Sequence, residues 1–136
     1  MNQNINNTES GYRINNLLLL ESNFKRAYNV QFDTQKVQNK SNINVEVGVQ
    51  GKVINVVETV DYKQFYDNQE QVSINVKMVG VFECIGPNEI ENFETFGKIN
   101  GAAMIFPYIR EYITNISLKA GIGPIFLPPV NFSNNK

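Results

Sequence analysis

The stretch from Ile99 to Phe132 limits the possible fold more than any other part of this 136-residue chain. Ile99, Ala102, Ala103, Phe106, Ile109, Ile113, Ile116 and Ala120 recur at steps of three and four residues, which puts them on one face of a helix. That face must be buried. Met104, Ile105, Tyr108 and Tyr112 add a second apolar stripe beside it, so the non-polar arc is too wide for a helix lying on one layer. A helix packed between two surfaces is expected. Pro107 interrupts the pattern and predicts a kink or a restart, while Gly121 and Gly123 predict the end of the helix. The prolines of the following segment, Pro124 to Phe132, fix an extended path and hold Ile125, Phe126, Leu127, Val130 and Phe132 in a short irregular loop. A loop this apolar calls for a function.

Composition narrows the classes. Apolar residues make up 42% and charged residues 18% of the chain, which suits one globular domain at this length. Residues 1–10 read as a disordered Asn-rich tail, 11–132 as a single domain and 133–136 as a short C-terminal tail. A net charge of -1 gives no electrostatic footprint for nucleic acid. The sequence shows neither a signal peptide nor an apolar run long enough to insert in a membrane, so a cytoplasmic protein is expected. The chain holds no His, which removes Ser-His-Asp and Cys-His catalysis and the commonest zinc ligand. Cys84 lies in an apolar run and reads as a core residue. No catalytic residue, cofactor or metal is expected, and the chain does not read as an enzyme.

Ahead of the helix the period changes to two. Tyr12 to Phe24 reads as a first strand whose four leucines, Leu17 to Leu20, place apolar side chains on both faces. Lys25 to Asn42 lacks a steady period and reads as a loop or a partly ordered connection. Ile43, Val45, Val47 and Val49 alternate with polar residues, Gly51-Lys52 marks a turn, and Ile54, Val56, Val60 and Tyr62 continue the alternation with Glu58 as its polar exception. Tyr66 to Glu70 supplies the next turn. The last strand carries Val72 to Phe82, with Val79 and Val81 adding apolar side chains to its second face. A short acidic helical segment over Ile90 to Phe96 then precedes Gly97 and the main helix. The fold class is α+β, a four-stranded antiparallel sheet packed by one long C-terminal helix. Leu17 to Leu20, Val79 with Val81, and the second helix stripe exceed one sheet-helix interface, so oligomerisation through sheet edge and helix is expected.

Ile-Phe-Pro-Tyr-Ile-Arg-Glu-Tyr-Ile (Ile105 to Ile113), Ala120-Gly121 and Leu127-Pro-Pro-Val-Asn-Phe132 together resemble the signature of the SecB-type protein-export chaperones. Tyr12-Arg-Ile14, Glu21-Ser-Asn-Phe24 and Gly80-Val-Phe82 look like the first and fourth strands of that family. The resemblance implies a homo-oligomer, a tetramer built as a dimer of dimers. It also implies an ATP-independent holdase that binds unfolded precursor polypeptides along an apolar groove and delivers them to the Sec translocase motor. Leu127, Pro129, Val130 and Phe132 match the groove loop and Phe82 an aromatic near it; Ile125 and Phe126 are counted with them as client-groove residues. Arg110 and Glu111 match structural positions. Leu17, Leu19, Met104, Tyr108 and Tyr112 are expected at the oligomer interface. The sequence departs from the family pattern twice. It ends four residues after Phe132, where members continue into a second helix and an acidic tail, and its charge is near balance with Lys25 near Glu21 where an acidic residue would stand. Both departures count against docking to the motor. A dedicated chaperone of a single client, such as an antitoxin, is the alternative within the family; a non-catalytic oligomeric scaffold whose loop only seals an interface is the alternative from another class.

Overall fold

The computed structural model describes residues 11–86 and 92–134. Four strands, β1 (Tyr12–Arg26), β2 (Val37–Gln50), β3 (Val53–Tyr66) and β4 (Gln69–Cys84), form one antiparallel sheet in the order β1-β4-β3-β2. The β3–β4 hairpin closes through Asp67 and Asn68, both with positive φ, which short polar side chains tolerate. Alternation decides the faces. Val72, Ile74, Val76, Met78 and Phe82 of β4 and Ile54, Val56, Val60 and Tyr62 of β3 are buried on the side that the helix covers. On the other side, Leu18, Val79 and Val57 stand in register across β1, β4 and β3, exposed or half-buried.

The expected loop before β2 is shorter than its composition suggests. Val37 to Asn42 pairs residue by residue with Tyr66 to Asp61, so ladder hydrogen bonds extend a strand through a polar sequence without a hydrophobic pattern. The four leucines of β1 are accommodated by two register shifts, between Ile14 and Asn16 and between Leu19 and Glu21. Leu17 and Leu19 fall opposite Gly80 and Met78 on the helix side, Leu18 falls opposite Val79 on the other, and Leu20 occupies the second irregularity.

Helix α1 (Phe93–Phe96), capped by the Asn92 side chain on Thr95 N–H at 2.9 Å, runs through a π-helical turn, Gly97–Gly101, into α2 (Ala102–Lys119). Gly97 therefore lies inside the helical run rather than ahead of it. The π turn lies close against the sheet: a Cβ on Gly101 would lie 2.9 Å from Val56. Residues 90 and 91 of the expected acidic segment lie outside the described residues. The buried face of α2 is Ala102, Ile105, Phe106, Ile109, Ile113 and Ser117, so Ile105 belongs to the core and Ala103 to the surface, the reverse of the sequence pattern. One residue step on a helix turns a side chain about 100°, and with Ala102 against the sheet, Ala103 points away. Pro107 does not break the helix. It shares the exposed face with Ala103, whose carbonyl it leaves without an intrahelical partner, and water can satisfy that carbonyl.

Candidate functional site

Where α2 ends, the chain reverses with Gly121 at φ 72°, and the N–H groups of Gly121 and Ile122 donate to the carbonyls of Leu118 and Ser117 at 3.1 and 3.3 Å. Arg26 at the end of β1 donates to the Ala120 carbonyl and to the Tyr28 carbonyl, the latter at 2.6 Å, placing a cation at the helix C-terminus. These contacts aim the segment after Gly121 back along the helix.

Two helix side chains then fix its course. Thr114 Oγ1 donates to the Ile125 carbonyl at 2.6 Å, and the Ile125 N–H donates to Ser117 Oγ at 2.9 Å, while that hydroxyl donates to the Thr114 carbonyl. With both backbone groups of Ile125 held, its side chain turns inward and that of Phe126 outward. Leu127 returns to the core. The contrast is large for neighbours: Phe126 is 72% exposed and Leu127 6%. Further on, Val130 is 36% exposed and Phe132 is buried, with its ring edge-on to Phe106 at 5.8 Å.

Phe126 stands between two concavities. One, of about 710 Å³, lies along the outer face of α2 and is lined by Pro107, Arg110, Thr114 and Leu118 together with Phe126. The other, of about 400 Å³, lies toward the sheet and is lined by Asn39, Ser41, Tyr62 and Gln64 as well as Phe126 and Pro128. Arg110 sits over the Phe106 ring at 5.7 Å, so its charge borders the first concavity while its carbons pack.

The residues expected in the groove thus divide. Phe126, Pro129 and Val130 are exposed, whereas Phe82, Ile125, Leu127 and Phe132 are buried within the protomer. Phe82 lies apart from the loop, packed edge-on against Tyr12 and Phe96. Of the residues expected between subunits, Leu19 and Tyr108 are exposed and Leu17 is half-buried. Met104 Sδ accepts a hydrogen bond from the Tyr12 hydroxyl at 2.8 Å, and the Tyr112 hydroxyl meets Ser22 Oγ at 2.8 Å, so both tie α2 to β1 within one protomer. Thr114 and Ser117, which position the loop, were not singled out by pattern. The available signal was Ser117, a hydroxyl at a core position four residues after Ile113.

Among the described residues, no group of three or more His, Cys, Asp or Glu is placed to hold a metal ion, and no helix is long and apolar enough to cross a membrane. Among the described residues, the most perturbed carboxylate is Glu58. It is fully buried between Val45 and Met78, neither oxygen has a hydrogen-bond partner among the described residues, and burial pushes its pKa up to about 8. It is away from both concavities and bears on stability.

The SecB family, preprotein translocase subunit SecB, matches residues 9–134. The chain belongs to the SecB family. An uncharacterized protein of Methanocaldococcus jannaschii is 32% identical over 82% of this chain and 66% of its own length, so the chain spans about two thirds of that relative. The protein-export protein SecB of Hydrogenovibrio crunogenus is 25% identical over 93% of this chain and 86% of its own. The fold is shared with a Mycobacterium tuberculosis SecB-like chaperone, solved in complex with a ChAD peptide from the HigA1 antitoxin. That match has a TM-score of 0.75 at 15% identity and covers 88% of this chain and 91% of the other. Membership of the SecB family supports a chaperone role and the four-stranded, one-helix reading of the fold.

Proposed function

We propose that this SecB-family chain is an ATP-independent holdase that binds unfolded polypeptides, including precursors bound for Sec export, over the two concavities flanking Phe126. The observation that carries the reading is the outward Phe126 on a segment whose backbone is hydrogen-bonded to the helix. A large aromatic held in water by two backbone hydrogen bonds is arranged for a partner, because collapse onto the core would otherwise remove it from solvent. An extended client can cover the ring and reach into both hollows. No step calls for nucleotide, metal or acid-base chemistry.

The exposed Leu18, Leu19 and Tyr108 support a homo-oligomer, which we take to be a tetramer built as a dimer of dimers. Several shallow sites on one assembly then hold one long chain, since each later contact is intramolecular. The proposal covers clients bound for Sec export and not docking on the Sec motor. The test is aggregation of a denatured model substrate followed by light scattering without nucleotide. Stoichiometric protein should slow it, and 25-residue unfolded segments should bind far better than seven-residue ones. Unchanged aggregation, or a mass near 15.5 kDa by static scattering, contradicts the respective part.

A further inference from the structure

The sheet-side hollow carries a hydrogen-bond chain of fixed direction, which the chaperone reading does not use. It begins at the main chain of Gln31, where no ambiguity of donor and acceptor exists. The Gln31 N–H donates to Gln71 Oε1 at 2.9 Å, so the Gln71 amide nitrogen must face the Gln31 carbonyl, to which it donates at 2.9 Å. The same nitrogen donates to Gln64 Oε1 at 2.9 Å. With its oxygen committed, Gln64 turns its nitrogen to the Tyr62 hydroxyl and donates at 3.1 Å. Tyr62 oxygen is thereby an acceptor, and its own proton meets no acceptor among the described residues. Tyr62 is 4% exposed, and it lines the 400 Å³ hollow beside Asn39 and Ser41 of β2. Burial pushes the phenol up from its ordinary range, against a smaller opposing effect of the Gln64 hydrogen bond, so it keeps the proton.

The geometry points to the Tyr62 hydroxyl as a hydrogen-bond donor, oriented by the relay from Gln31 through Gln71 and Gln64, for a main-chain carbonyl of an extended client segment seated beside Phe126. The hollow is apolar at Phe126 and Leu127 and offers a buried donor on its sheet side, so its occupant must present an acceptor next to an apolar side chain. Every apolar residue of an unfolded polypeptide does so. A carbonyl is also the acceptor that leaves client sequence unspecified, which suits a site for many chains. This inference rests on the chaperone reading and adds the group that holds the client backbone. Gln64 and Gln71 are positioning residues, and Tyr62 is the contact.

The test uses a fluorescein-labelled, unstructured 25-residue Leu- and Ser-rich peptide, with dissociation constants from anisotropy for the full chain and for Tyr62→Phe. The variant should bind roughly three- to tenfold more weakly, the range of one neutral hydrogen bond, with its denaturation midpoint close to wild type. A series of peptides with single C=O to C=S replacements, which weaken the acceptor and leave N–H donation intact, should show loss at one or two positions on wild type and none there on the variant. Wild type that fails to bind the unmodified peptide overturns the chaperone reading and this inference with it. Wild-type binding matched by Tyr62→Phe overturns the inference alone, and so does a series in which no position responds on wild type, whatever the variant's stability.

Discussion

The inner face of the sheet and the segment after the helix are built from similar side chains and finish in opposite conditions. On the inner face, Ile54, Val56, Val60, Ile74 and Val76 meet Ile105, Ile109 and Ile113, and all are sealed from water. The strand period of two and the helix period near 3.6 each supply one apolar side, and the two sides close on each other. Between Gly121 and Phe132 there is no repeating backbone pattern to sort the side chains. Side-chain hydrogen bonds from Thr114 and Ser117 do the sorting residue by residue, sending Ile125 and Leu127 in and Phe126 out. An apolar residue in a regular element is assigned by its neighbours, and one in a pinned loop by whatever holds its backbone.

That contrast can be broken from either side. The largest effect should come from the flaw in the inner face. The folded pKa of Glu58, about 8, lies above the ordinary value of 4.5, so its contribution is complete below pH 4.5 and is lost as pH rises through about 8. Stability should fall across that window by up to about 4–5 kcal/mol, taking about 1.4 kcal/mol per pH unit. Glu58→Met should abolish this pH dependence and raise the midpoint at pH 7.5, as read by urea melts at several pH values; a wild type equally stable at pH 5 and pH 8 would contradict it. Next, Ile109→Ala should destabilise by about 2–5 kcal/mol, because it opens a cavity in a fully packed interface. Ser117→Ala leaves the Ile125 N–H without its acceptor and should lose about 1–3 kcal/mol. It should also raise hydrogen exchange in the loop more than in the strands. The smallest change belongs to Val130→Ser, which should shift stability by less than about 1 kcal/mol at a position 36% exposed, a result checked by its midpoint. A shift as large as that of Ile109→Ala would erase the contrast.

How far the sequence showed this depends on where periodicity exists. Ile54 to Tyr62 and Val72 to Phe82 alternate plainly, and the structure places them as read. Val37 to Asn42 joins a strand with no pattern of its own, because β3 supplies a template of unpaired backbone groups. The helix was legible but rotated: Ile105 and Ala103 exchange roles because the π turn at Gly97–Gly101 and the approach of Gly101 to Val56 set the helix phase. Glu58 was visible as an exception in an alternating strand, but its lack of partners among the described residues depends on which strands flank it. In the loop, the apolar composition of Ile125 to Phe132 was evident and the in-or-out choice was not, since the hydrogen bonds from Thr114 and Ser117 connect residues whose proximity only the fold creates. The Gln31, Gln71, Gln64 and Tyr62 relay joins β3 and β4 to the β1–β2 loop and leaves no local signature.

The central claim is that Phe126 is held outside the core to meet an unfolded chain. Phe126→Ser, measured side by side for urea midpoint and for suppression of substrate aggregation, tests it most directly. The account predicts a midpoint within about 1 kcal/mol of wild type and a clear loss of suppression at equal protein concentration. A variant that protects the substrate as well as wild type, or one that loses its activity only because it unfolds, would contradict it.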